Sequence, residues 1–247
     1  MPPATAGKVL AAEDLRAYSY CSEYHYFGGQ HNLSPIEQIC QAALESMFAE
    51  TLRTERLQVN KFEKHTLRAL QVTGLAHNNL DGRVQAWYHK VILWLNDFFE
   101  LFEPDRYYPV AAGLPWRVIV NDTPVEPRIS GVLRTQQNQT LHVLHFTPYA
   151  SRHDRENDPI APVLLSTMQG LVSRQHKRAQ VRLHLLGYQD DVNHLNYSQL
   201  DTNELDVRAK DRTKSIVAGL EAGLHWPTMP CRATSCQYRN KCTARKT

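Results

Sequence analysis

Apolar residues recur at helical spacing through most of the first hundred positions. Ile36, Ile39, Cys40, Ala43, Leu44 and Met47 fall three and four apart behind Ser34-Pro35, an N-cap followed by proline in the first turn. The pattern predicts a helix to about Thr54, with Cys40 as a core residue. Glu13–Phe27 reads as a shorter, Tyr-rich helix that carries Cys21 and ends at Gly28-Gly29. Further helices are predicted from Lys61 towards His77 and from Asp81 to Phe102. The second of these puts Val84, Trp87, Val91, Trp94, Leu95 and Phe98 on its buried side.

The period changes after Phe102. Tyr108–Val120 carries Pro109, Gly113 and Pro115 and closes on a strand-like Trp116–Val120. Arg128–Arg134 and Thr140–Thr147 predict two strands joined by the polar turn 135–139. Pro159–Lys177 returns to helix, Ala179–Gly187 to strand, Asn193–Tyr197 to a short partner strand and Asp201–Leu224 to helix. The expectation is an α/β fold with a mixed central sheet flanked by helices.

Composition narrows the class. With 247 residues, 42% apolar and 21% charged, the chain is long enough for one substantial core and reads as globular. Its most apolar stretch, Val91–Phe102, is broken by Asn96 and Asp97, so no membrane span is predicted. A net charge of +3 is too mild to imply nucleic-acid binding. Local clusters carry more weight: Arg174, Lys177 and Arg178, then Arg239, Lys241, Arg245 and Lys246.

Four of the five cysteines form the strongest chemical signal. Cys231, Cys236 and Cys242 are separated by four and five residues, and Cys21 lies far upstream. Four thiolates are the usual ligand set of an iron–sulfur cluster. Zinc is an alternative, although its cysteine pairs are commonly closer. Unmetallated buried thiols are another. Met1–Ala12 has no secretory pattern, so a reducing cytoplasm is expected rather than disulfides.

Several segments together resemble the RecB-like branch of the PD-(D/E)xK nucleases, in the iron–sulfur subgroup that includes CRISPR-adaptation and AddB-type nucleases. Leu15-Arg-Ala-Tyr18-Ser-Tyr-Cys21-Ser-Glu-Tyr24-His-Tyr26 resembles the family's N-terminal cysteine helix. Cys236-Gln-Tyr238-Arg239-Asn-Lys-Cys242 resembles its C-terminal closure, and Leu220-Glu-Ala-Gly223-Leu-His-Trp-Pro227 the approach to it. Ile129-Ser-Gly131-Val-Leu133 resembles the second core strand. The resemblance implies one domain over 1–247, with a helical part over 8–104, a nuclease-like core over 105–226 and a cluster tail over 227–247. It also implies a 4Fe–4S cluster on Cys21, Cys231, Cys236 and Cys242, joining the N- and C-terminal segments.

The family's catalytic positions are degenerate. Where the resemblance places a metal-binding Asp stands Arg134. Where it places the acid and Lys of the next strand stand His145 and Thr147. The family's helical His corresponds to Gln41, with Glu45 one turn on. Cation-assisted cleavage needs hard oxygen ligands, so the resemblance implies a nuclease fold without its nuclease site. The leading expectation is a catalytically inactive accessory factor in replication, recombination or transcription that binds single-stranded nucleic acid. Arg134 would grip a phosphate, Arg174, Lys177 and Arg178 would extend the contact, and Tyr18, Tyr24, Tyr26 or Trp226 would stack bases. A polymerase, helicase or nuclease complex in a prokaryotic or viral host cytoplasm is the expected setting. Two alternatives stay open. One is an active DNA nuclease with migrated carboxylates drawn from Glu126, Asp154, Glu156 and Asp158, which otherwise read as loop carboxylates in water. The other is a protein-docking scaffold.

Overall fold

The structure, a computed structural model, describes residues 9–21, 32–54, 61–74, 82–103, 106–135, 140–148, 157–175, 180–189, 194–201, 207–224 and 238. The elements among them run β1 (Leu10–Ala11), α1 (Ala12–Tyr20), α2 (Pro35–Thr54), α3 (Phe62–Val72), α4 (Gly82–Leu101), β2 (Tyr107–Pro115), β3 (Val118–Val120) and β4 (Thr123–Glu126). They continue through β5 (Arg128–Thr135), β6 (Leu141–Phe146), α5 (Ala161–Gln175), β7 (Val181–Gln189), β8 (His194–Asp201) and α6 (Val207–Glu221). The fold is mixed α/β with two mixed sheets flanked by helices.

The larger sheet has the order β2-β5-β6-β7-β8. All of its pairs are antiparallel except β6 with β7. A parallel pair cannot be joined by a hairpin, so α5 carries the chain from the end of β6 back to the start of β7. Residues alternate between the two faces. Val132, Val143, Val181, Leu183 and Leu185 enter one core with Leu15 of α1, Leu164 of α5 and Val217 of α6. Leu133, Leu144, Phe146 and Leu186 enter the other, against Leu44 and Phe48 of α2 and Trp94 and Phe98 of α4.

Local chemistry sets the main helix starts. At α2 the Ser34 N–H donates to Glu37 Oε2 at 2.8 Å and the Glu37 N–H donates to Ser34 Oγ at 3.4 Å, a reciprocal capping box ahead of Pro35. Cys40 is fully buried in the α2–α4 core, where its apolar pattern predicts it, and burial pushes its thiol well up.

Three sequence expectations are corrected. The Pro- and Gly-bearing segment from Tyr107 to Pro115 is a nine-residue strand, because an edge position tolerates missing N–H donors. A second, three-stranded sheet of β1, β4 and β3 exists, made of strands of two to four residues, too short to display a period. Cys21 lies just past α1 with extended backbone (φ −164°, ψ 120°) rather than inside the helix. The continuation expected towards Phe27 lies outside the described residues, as does 75–81, where the predicted third helix was to end.

Gly131 of β5 tests the fit between sheet and helix. A Cβ there would run into the Phe48 ring of α2, which is 1% exposed. Gly131→Ala is expected to destabilise by about 1–3 kcal/mol through overpacking, read as a lower urea midpoint.

Candidate functional site

The two cores meet at one end of the larger sheet in a buried polar seam. Arg16 lies between Leu15 and Ala17, all three buried on α1. Its Nε and Nη2 donate to Asp158 Oδ2 at 3.0 and 2.8 Å, and Nη2 lies 2.7 Å from His145 Nε2. Arg16, His145 and Asp158 are each no more than 2% exposed. A guanidinium only donates, so His145 Nε2 is the acceptor and the ring proton sits on Nδ1, donating to the Arg128 carbonyl at 3.1 Å. Asp158 Oδ1 accepts the Ile160 N–H at 3.0 Å, turning the chain into α5.

Helix α2 completes the seam from the other side. Glu37 accepts the Tyr188 N–H at 3.2 Å, which ties the start of α2 to β7. Burial raises its carboxyl pKa, opposed by the Ser34 and Tyr188 N–H groups, the Ser34 hydroxyl and the Arg16 charge. Gln41 Nε2 donates to Ser130 Oγ at 3.1 Å. Glu45 accepts a two-pronged contact from Arg128. The Thr147 N–H donates to the Leu186 carbonyl at 2.8 Å, while its buried Oγ1 has no hydrogen-bond partner among the described residues. Burial, and then the nearby Arg16 charge, pushes His145 down to about 4, so the ring is neutral.

Of the degenerate catalytic positions, the structure gathers Gln41, His145 and Thr147 at this end. It does not bring Arg134 there. Arg134 pairs with Leu141, and Leu141 with Val181, whereas His145 pairs with Leu185. Four ranks of strand separate Arg134 from His145, about 13 Å. The guanidinium beside His145 is that of Arg16. Asp158 is corrected from a solvated loop residue to a buried, ion-paired one. Glu126 instead pairs with Arg117 at 3.2 Å, and Asp154 and Glu156 lie outside the described residues.

Arg134 sits at the opposite end of the sheet, half-buried and without an ion pair among the described residues. The C-terminal end of α5, which holds Arg174, is at the same end, because the Gln180 carbonyl accepts the Leu141 N–H at 2.9 Å as the chain enters β7. Lys177 and Arg178 lie outside the described residues, in the short link between Gln175 and Gln180. Tyr18 is a packing residue rather than a free stacking platform: its hydroxyl donates to the Leu224 carbonyl at 2.7 Å and abuts Gly219. Tyr24, Tyr26 and Trp226 lie outside the described residues, as do Cys231, Cys236 and Cys242. Cys21 is a half-buried free thiol. Among the described residues, no three His, Cys, Asp or Glu side chains converge into a metal-holding set, and no helix is long and apolar enough to cross a membrane.

Compared with models of known protein families and with curated proteins, the sequence matches none.

A histidine pair lies on the other face of the sheet. His142 Nδ1 and His184 Nε2 are 2.8 Å apart, beside Phe102. Burial first, then the Arg182 charge, lowers His142 to about 4. Burial, then His142 and Arg182, lowers His184 to about 3.

Two predictions follow from these groups. An unfolded histidine titrates near 6.5, above all three folded values. The unfolded chain therefore binds more protons between about pH 6.5 and 4, and stability falls as pH falls through that window. Urea midpoints measured from pH 7.5 to 4.5 are expected to decline steadily, and His142→Phe should flatten the slope. Arg16→Met alone leaves Asp158 buried and unpaired and is expected to cost about 3–5 kcal/mol. Arg16→Met with Asp158→Leu should cost less than the two single changes added together, as a double-mutant cycle would measure.

Proposed function

We propose that this chain is a nuclease-like scaffold that binds single-stranded nucleic acid at its basic sheet end and does not cut it. The observation that carries the reading is the register: Arg134 shares a rank with Leu141 and Val181, and Val181 follows Arg178 by three residues in sequence. Arg134 and the end of α5 that holds Arg174 thus belong to one end of the fold, with Arg134 unneutralised among the described residues; Lys177 and Arg178 follow α5 in the sequence. A guanidinium binds phosphate oxygens in a fork.

The absence of cleavage rests on the seam. Divalent-metal hydrolysis needs converging hard oxygen ligands. The carboxylate that the described residues bring beside His145, that of Asp158, is committed to Arg16. A second cation beside that guanidinium would be repelled in a dry site.

A cluster on Cys21, Cys231, Cys236 and Cys242 belongs to the same proposal. What supports it is that Tyr18, three residues before Cys21, bonds the carbonyl of Leu224, seven before Cys231. The chain ahead of the tail therefore runs beside the helix that presents Cys21. Such a cluster would act as a cross-link over nearly the whole chain, where closure matters most. Anaerobically purified protein is expected to carry iron, lost in Cys21→Ser with a lower melting temperature. Stoichiometric zinc without iron would overturn this part.

The binding test is an affinity series for an unstructured oligonucleotide at several salt concentrations. Arg134→Ala is expected to weaken binding alike for all sequences and to flatten the salt slope by about one counterion. No binding by the wild type at low salt would move the reading to a protein-docking scaffold. Mn²⁺-dependent degradation lost on changing Asp154 or Glu156 would move it to an active nuclease.

A further inference from the structure

Beside Arg134 the sheet edge carries an aromatic ring that neither core absorbs. Tyr108 and Arg134 are directly paired across β2 and β5. Paired residues project from the same face with Cβ atoms about 5 Å apart. Tyr108 is 38% exposed, and its side chain makes no hydrogen bond or ring contact among the described residues. Its neighbour Tyr107 points the other way and is used: its ring meets Phe102 and His142 at 5.5 and 5.0 Å. The core thus accounts for one tyrosine of the pair and not the other.

The edge itself is unsuited to strand pairing. β2 is the outermost strand, Pro109 has no N–H to offer, and the register slips between Pro109 and Ala111. Proline and bulges are the usual devices that keep an edge from recruiting another strand. A partner here is met by side chains: one exposed ring and one forked cation, at the sheet end where α5 finishes. A ligand with an aromatic ring beside an anionic group fits them. In a duplex the base faces are already stacked on one another and cannot reach the ring.

We infer that Tyr108 and Arg134 grip one nucleotide of a single strand, the ring stacking on a base while the guanidinium holds the adjoining phosphate. This rests on the phosphate-binding reading above, and it assigns the choice of single over double strands to Tyr108.

Anisotropy titrations would use labelled oligo-dT, an abasic oligomer of the same length, and a duplex. The proteins would be wild type, Tyr108→Leu, Tyr108→Phe and Arg134→Ala. Tyr108→Leu is expected to lose about 5- to 100-fold in oligo-dT affinity, the range of one base–aromatic stack. Its salt slope and its abasic and duplex affinities should match wild type. Tyr108→Phe keeps the ring and should restore oligo-dT binding. Arg134→Ala should weaken all three ligands. If Tyr108→Leu binds oligo-dT as wild type does while Arg134→Ala is impaired, the stacking role falls and the phosphate site stands. If Tyr108→Leu weakens the abasic oligomer equally, the ring acts on the backbone and the inference is overturned. If wild type binds none of the three, the functional reading falls with it.

Discussion

A guanidinium at 2% exposure has to be neutralised where it lies. Arg16 meets that requirement through a carboxylate 142 residues away in sequence, and a neutral histidine 129 residues away accepts a further hydrogen bond from it. The pairing fixes three things at once: the seating of α1 on the sheet, the entry of the chain into α5, and the tautomer of His145. Removing one partner strands the other in a dry interior, so the elements must dock together or not at all. Glu37 does related work across the seam, closing the cap of α2 while holding the Tyr188 N–H of β7. The two apolar cores are nonspecific in their packing forces; the polar groups between them select one arrangement.

That constraint also bears on chemistry. A hydrolytic metal site needs acidic oxygens that repel one another until a cation arrives. Here the arrangement is already neutral, with arginine as the resident cation and its carboxylate bonded to it at 2.8 and 3.0 Å. The Asp158 carboxylate at this end of the sheet is therefore already neutralised by a cation of the chain's own.

Legibility in the sequence follows from range. Helix α2 and strands β5, β6 and β7 were readable because each displays its period over six or more residues. The short strands β1, β3 and β4 offered no such span. Arg16 gave one local hint, a charge between Leu15 and Ala17, and Asp158 gave another by preceding Pro159. Nothing local joins the two. The misplacement of Arg134 has a different cause. Matching motif positions along the chain treats residues 134 and 145 as partners, whereas hairpin geometry sets Leu141 opposite Arg134. Tyr108 was hidden because its strand reads as a Pro- and Gly-broken loop.

The topology then explains what stands at each end of the sheet. Because β6 and β7 are parallel, α5 must start at the seam and finish at the opposite end. Its last turn, which holds Arg174, thereby comes to the end where Arg134 stands. The seam's charges cancel within a few ångströms inside the protein, so they project little field. Arg134 is half-buried and has no ion pair among the described residues, so its charge is not cancelled there and acts over roughly 8 Å at physiological salt. On the binding reading proposed above, a polyanion reaching that end would meet Tyr108, exposed and directly paired with Arg134.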